Sequence, residues 1–296
     1  MRYLITGGRG FIGRHLSAAL HQHDPAADVI CSGREADLTV RDTAMQLFRD
    51  CGRLDYIVHL ADVAGDANWS QAHAVSQFLA NSYMATHVID AWTTQQPGAR
   101  LVGMSTLWAY PERVVRAVED GYWDGRLHVP TEHYGLVKKL FGAGIATARR
   151  ERGAHGTMLV LGNVYGPNDS TFHVIPSLIR RMRENSALLE ILGDGTQTRD
   201  FIFVDDQVSG IIRHLDYDGD LLNIGSGVTH SIRDVVECLV RLTSYTGRVV
   251  FNAGTAGGVS ERRMDVTRAT AATGWPANVA LHSLEAGLAK TLAALD

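Results

Sequence analysis

The chain has 296 residues, 45% of them hydrophobic and 20% charged, and a formal net charge of −4. Such a balance fits a water-soluble globular chain able to bury a sizeable core, and it implies no nucleic-acid or other polyanion partner. Cys31, Cys51 and Cys238 have neither CxxC nor ligand spacing, so no disulfide framework or metal site is expected, and Met1 runs into a strand-like Arg2–Thr6 with no room for a secretory leader.

With no uninterrupted apolar run of about 18 residues either, membrane insertion is not expected and a reducing cytoplasm is. In chain order, strands are predicted at Tyr3–Thr6, Asp28–Ser32, Tyr56–Leu60, Leu101–Ser105 and Thr157–Leu161. Helices are predicted between them at Phe11–His23, Arg41–Cys51, Ala72–Gln95 and His133–Arg152. This alternation predicts an α/β fold with a doubly wound parallel sheet and ligands at the carboxyl ends of its strands. Beyond Gly166-Pro167 the rhythm loosens into a helix at His173–Asn185, a strand at Phe201–Val204 and a helix at Asp206–Leu215. A strand at Leu221–Ile224 and a helix at Ile232–Thr243 follow. The expected division is a dinucleotide-binding unit over 1–165, with a returning segment near 200–226, and a smaller α/β substrate unit from 166–199 and 227–296.

Gly7-Gly8-Arg9-Gly10-Phe11-Ile12-Gly13 links the first strand to the first helix. Glycines there permit a sharp turn and let backbone amides approach a pyrophosphate over the helix N-terminus. The second strand ends Cys31-Ser32-Gly33-Arg34, with no acid before Glu35 to hold a ribose 2′-hydroxyl. Arg9, Ser32 and Arg34 instead suit a 2′-phosphate, so NADP is the expected cofactor. Asp37, beside Leu38, is placed to accept from an adenine amino group or to close a turn.

Tyr134 and Lys138 are four residues apart, hence on one face of a helix. An ammonium there is expected to lower the phenol's pKa and make it a usable acid or base. Thr106, about thirty residues upstream at the end of a predicted strand, supplies a hydroxyl that can share a substrate carbonyl oxygen with the phenol.

With these motifs the chain resembles the extended short-chain dehydrogenase/reductases, the epimerase/dehydratase superfamily with a Rossmann sheet, and within it the GDP-L-fucose synthases. The likeness runs through Thr6–Gly13, His59-Leu60-Ala61 with Asn81, Tyr134–Lys138 and Asn163–Pro167. It continues through His173–Pro176, Arg199–Asp206 and Leu281–Leu288. The resemblance implies that Thr106 is the hydroxyl and Tyr134 the proton donor, that Lys138 orients the nicotinamide ribose, and that Leu60 and Ala61 border the cofactor. It further implies that Arg199 holds a sugar-nucleotide pyrophosphate, Asn163 positions the sugar and His173 moves protons. The family's cysteine two residues before the tyrosine of its Ser/Thr-x-x-x-Tyr stretch is replaced by Trp108. An indole N–H is no base near neutral pH, so hydride delivery to a 4-keto carbon is expected without the family's two-carbon epimerisation. Trp108 is expected in the sugar pocket, by packing or by stacking.

The expected activity is NADPH-dependent reduction of a nucleotide-linked, GDP-type 4-ketodeoxysugar by a homodimer. Two alternatives stand beside it: a C4 epimerase that retains its NAD(P), and a non-catalytic NADP-binding sensor.

Overall fold

In the computed structural model, which describes residues 1–169, 173–253 and 261–295, the first half of the chain largely alternates strands with helices. Its elements are β1 (Arg2–Thr6), α1 (Phe11–His23), β2 (Asp28–Ser32), α2 (Arg41–Asp50), β3 (Tyr56–His59), α3 (Ala67–Ala72) and α4 (Ala74–Gln95). They continue with β4 (Arg100–Thr106), β5 (Arg116–Ala117), α5 (Glu132–Arg152), β6 (Gly156–Leu161) and β7 (Asn163–Tyr165). The second half holds α6 (Val174–Glu184), β8 (Leu188–Leu192), β9 (Thr198–Arg199), β10 (Phe201–Phe203), α7 (Val204–Arg213) and β11 (Leu221–Ile224). Last come β12 (His230–Ser231), α8 (Ile232–Thr243), β13 (Arg248–Asn252), β14 (Glu261–Met264), α9 (Thr267–Thr273) and α10 (Leu284–Ala293).

Six strands form one parallel sheet in the order β11-β6-β4-β3-β1-β2. The chain leaves β1 for β2 on one side and returns to β3 on the other, so the crevice above β1 and β3 is the topological switch point where such sheets bind ligands. Leu4, Ile5, Ile57, Val58, Leu101 and Val102 have no exposed surface. Sheet faces covered on both sides explain why these strands read as unbroken apolar runs rather than alternating ones. Leu16 and Leu20 of α1 with Val208 and Ile211 of α7 fill one face. Phe48 of α2, Trp92 of α4 and Phe141 of α5 fill the other.

The helix expected over Ala72–Gln95 is α4, which starts at Ala74; the short α3 precedes it, and the chain turns between α3 and α4 at His73, whose φ of −120° and ψ of 22° are not helical. Asp66 opens α3, accepting from the Trp69 amide at 2.8 Å. Beyond the main sheet, β7 pairs with β10, β8 with β13, and β12-β9-β14-β5 make a small mixed sheet. Its β14–β9 register sets Arg262 directly beside Arg199. Among the described residues no helix is long and apolar enough to cross a membrane.

Candidate active site

The glycine loop lies at the switch point and is packed too tightly for side chains. Gly7 has φ +70°, and a Cβ there would stand 2.7 Å from the Ala61 amide nitrogen, so the end of β3 presses on the loop. A Cβ on Gly13 would meet the Gly7 carbonyl at 2.5 Å. Gly10 caps α1 without a side-chain hydrogen bond, and no acid sits in that helix's first turn. The first-turn amides and the positive end of the helix dipole are therefore left for an anion, and Phe11 and Ile12 begin the helix around them. Leu60 and Ala61 form the opposite wall, with the Leu60 amide bonded to the Thr6 carbonyl at 3.0 Å. A dinucleotide pyrophosphate fits this cradle.

The phosphate-selecting end departs from the simple clamp of two free guanidiniums. Gly8 N–H donates to the Ser32 carbonyl at 2.9 Å, which brings Ser32, itself buried, beneath the loop. Arg9, however, pairs with Glu35 at 3.2 Å, and the same carboxylate accepts the Gly33 amide at 2.8 Å. These contacts hold the Glu35 carboxyl below its usual range, the amides more than Arg9. Arg34 is exposed beside them. Asp37 accepts both the amide and the hydroxyl of Thr39, at 3.0 and 2.7 Å, so one of its oxygens closes a turn; Leu38 is buried below.

The side chains expected to be catalytic gather where α5 meets the ends of β3 and β4. Gly135 permits that approach, since a Cβ there would lie 3.0 Å from the Trp108 carbonyl and 2.9 Å from Leu127. Thr106 ends β4, and its hydroxyl accepts the Trp108 amide at 3.3 Å. Tyr134 and Lys138 share one face of α5, with the ammonium 5.1 Å from the phenol ring centre. Between them stands a residue to which the sequence assigned no role: Asp62 Oδ2 accepts the Tyr134 hydroxyl at 2.5 Å and pairs with Lys138 Nζ at 2.8 Å. The expected lowering of the phenol's pKa by Lys138 therefore does not hold. Burial first, then the Asp62 charge and hydrogen bond, push Tyr134 well above the ordinary phenol range.

The loop carrying Asp62 is pinned. Val63 donates its amide to Asn81 Oδ1 at 2.8 Å and accepts from Asn81 Nδ2 and Gln77 Nε2 at 2.8 and 3.0 Å. Gln77 Oε1 lies 2.7 Å from His133 Nε2, the residue just before Tyr134. Below, His59 contacts the Thr6 hydroxyl at 2.7 Å, and burial, helped by the Lys138 charge, pulls its pKa down to about 3. It is a neutral, structural imidazole.

Trp108 faces two cations. The guanidinium of Arg199 lies 5.8 Å from its ring centre and that of Arg262 5.5 Å, while His128 is 5.8 Å away at a tilt of 35°. Asp200 does not neutralise Arg199, because its carboxylate is spent on Ser226 and the Gly227 amide. Arg262 donates to the carbonyls of Leu107, Pro111 and Glu112. Among the described residues neither guanidinium has a carboxylate within ion-pair distance. Burial first, then the neighbouring Arg199, push Arg262 down to about 10 against the weaker opposing charge of Glu112. Of the adjacent Glu261, Arg262 and Arg263, only Arg262 is buried. Asn163 approaches from β7, with its amide on the Asp200 carbonyl at 2.7 Å. His173 caps α6, with Nδ1 2.5 Å from Asp169 Oδ1, in a half-exposed position.

A family model described as the NAD dependent epimerase/dehydratase family matches residues 3–225. GDP-L-fucose synthase of Escherichia coli is 28% identical, over 98% of this chain and 95% of that protein. A Campylobacter jejuni GDP-mannoheptose C4 reductase with NADP bound has 20% identity and a TM-score of 0.87, over 99% of this chain and 98% of that one. UDP-glucose 4-epimerase of Thermotoga maritima has 25% identity and a TM-score of 0.85, over 100% and 98% of the two chains. With the glycine cradle, the Tyr134–Lys138 face and the doubly wound sheet in place, the chain belongs to the NAD dependent epimerase/dehydratase family of enzymes.

Proposed function

We propose that the protein reduces the 4-keto group of a GDP-linked deoxysugar, using NADPH. The observation that carries this reading is the convergence of Thr106, Tyr134 and Lys138 beside the glycine cradle, with Trp108 where a thiol would be needed for proton exchange at the flanking carbons. NADPH, when bound, supplies the hydride. Tyr134 gives its proton to the ketone oxygen, Thr106 donates a second hydrogen bond there, and Lys138, which keeps its pairing with Asp62, turns its remaining N–H groups to the ribose hydroxyls. Arg199 and Arg262 hold the sugar-nucleotide pyrophosphate, which answers their missing counter-charge. Trp108 lies along the sugar, Asn163 positions it, and His173 borders it from α6. Arg9, Ser32 and Arg34 take the 2′-phosphate once Glu35 yields Arg9, and Asp37 with Leu38 faces the adenine. The likeness to GDP-L-fucose synthase along both full chains supports the substrate class.

On this reading residues 1–165, with a segment near 200–226, form the cofactor unit, and 166–199 with 227–296 form the substrate unit. A homodimer is proposed as well. Val75, Phe78, Leu79 and Tyr83 make an exposed apolar stripe on α4, and Leu136 and Leu140 extend it onto neighbouring α5. All three cysteines are free thiols, which suits the reducing cytoplasm where we place the enzyme.

The test is incubation with NADPH and a panel of GDP-, dTDP-, UDP- and CDP-4-keto-6-deoxysugars while the absorbance of the reduced nicotinamide is followed. One NADPH consumed per product supports the reductase. Product without net consumption favours the second reading, a C4 epimerase, to which the 25% identity with UDP-glucose 4-epimerase lends support. NADPH binding with no turnover on any sugar would leave the sensor.

A further inference from the structure

A phenol that serves as an acid must arrive protonated, whereas one that oxidises an alcohol must first lose its proton. A neighbouring ammonium favours the second state and a neighbouring carboxylate the first. Tyr134 has both neighbours, and they are not equivalent. Asp62 accepts the phenol's hydrogen bond at 2.5 Å through the same oxygen that holds Lys138 Nζ at 2.8 Å, so the ammonium is neutralised where it would otherwise act. The three groups are largely shielded from solvent, with Lys138 14% and Asp62 19% exposed, so their mutual field is weakly screened.

The arrangement is built rather than incidental. Val63 is fixed by Asn81 and Gln77, and Gln77 also reaches His133, which ties the residue after Asp62 to the residue before Tyr134. The other titratable groups facing the phenol do not restore a positive field. Tyr122 is a buried neutral phenol bonded to Ser105, and His59 beneath Lys138 is held neutral by burial.

We propose that Asp62 is a positioning residue that sets the direction of the chemistry, holding Tyr134 in its proton-donating form and so making the site a reductase rather than an oxidising epimerase. In the reductive step the carbonyl carbon receives the hydride of NADPH and the oxygen receives the Tyr134 proton. The phenolate so formed, beside an Asp62 carboxylate, is a strong base that regains a proton from solvent at once, and the pair returns to its starting state. Alcohol oxidation would have to start from that phenolate, the state Asp62 disfavours.

The inference rests on Tyr134 being the acid, as proposed above, but one of its readouts needs no substrate. Near-ultraviolet titration of tyrosinate, in the free and the NADP-bound protein, isolates Tyr134 when the same curve for Tyr134→Phe is subtracted. In Asp62→Asn the Tyr134 titration should fall by about one pH unit or more, and Asp62→Glu should restore most of the shift. With a ketosugar that turns over, the alkaline loss of kcat in reduction should move to lower pH by a similar amount in Asp62→Asn. Oxidation of the product alcohol by NADP⁺ near neutral pH should rise by about tenfold. An unmoved Tyr134 titration in Asp62→Asn, or unmoved alkaline limbs in both directions, would overturn the inference. A shifted titration with no ketosugar reduced sustains the electrostatic role of Asp62 and defeats only the reductase assignment.

Discussion

Arg262 lies across the indole of Trp108 at 5.5 Å, and strand pairing seats Arg199 beside it on the same ring. Two partly desolvated guanidiniums side by side repel each other, a cost that an anion held between them would offset.

They separate experimentally because their hydrogen bonds differ. Arg199 donates to its own neighbour Thr198, so Arg199→Met should leave folding unharmed and relieve Arg262. The same change should raise the nucleotide-sugar KM roughly 10- to 100-fold, the loss of a charge-assisted contact of about 1.5–3 kcal/mol. Arg262→Met should also cost about 1–3 kcal/mol of stability, because the Leu107 and Pro111 carbonyls lose their donor. Urea melts and substrate titrations check the pair. Equal melts with unchanged KM in both variants would remove the anion site.

Cofactor choice turns on the competition between Glu35 and a 2′-phosphate for Arg9. The native protein should bind NADPH at least about tenfold more tightly than NADH, the worth of one charge-assisted phosphate contact. Glu35→Gln should tighten NADPH severalfold and leave NADH unchanged, since only the phosphate meets the freed guanidinium. Arg9→Ala should narrow the preference. Calorimetric titration of both nucleotides checks this, and similar affinities in the native protein would mean that Glu35 keeps Arg9.

Much of this fold was legible because long periodic segments carry their own signal. α1 and α8 fall at Phe11–His23 and Ile232–Thr243, the predicted bounds, and the five leading strands lie within a residue or so of theirs. The short strands β8, β9, β13 and β14 were not foreseen, since pairing partners far along the chain decide them. The same limit applied to charge. Tyr134 and Lys138 are neighbours by helix spacing, which local sequence reveals. Asp62 reaches them from the loop after β3, and only the fold could show that the ammonium is spent on it. An acid just after His59-Leu60-Ala61 was the available signal. Nor does local sequence distinguish Arg262 from its charged neighbours Glu261 and Arg263; the β14 register sets it beside Arg199.

His59 gives the pH dependence of folding. Its folded pKa of about 3 lies below the ordinary 6.5, so it stays neutral in the native state while the unfolded chain takes up a proton. Its contribution is fully present above the ordinary value and is lost as pH falls from there toward the folded one, at up to about 1.4 kcal/mol per pH unit. His59→Asn, which keeps a polar partner for Thr6, should therefore flatten the acid side of the stability curve although it lowers stability at neutral pH. Urea melts across about pH 4 to 8 measure it. Parallel curves for the two proteins would assign the acid loss to other groups.

Proton exchange beside the ketone depends on Trp108. Exchange at a flanking carbon needs a base, and the indole offers none at the position where the resemblance places a cysteine. A 4-keto substrate incubated with enzyme in heavy water should thus gain no deuterium at those carbons beyond the spontaneous background. Trp108→Cys should restore some exchange if a neighbouring imidazole activates the thiol, and His128, already 5.8 Å from the indole, is one such group. The gain should stay small, because losing the indole opens a large-to-small void between Arg199 and Arg262 and loosens the sugar. Enzyme-dependent deuterium incorporation by the native protein would show that another base serves these carbons, and the reaction would then be an epimerisation as well as a reduction.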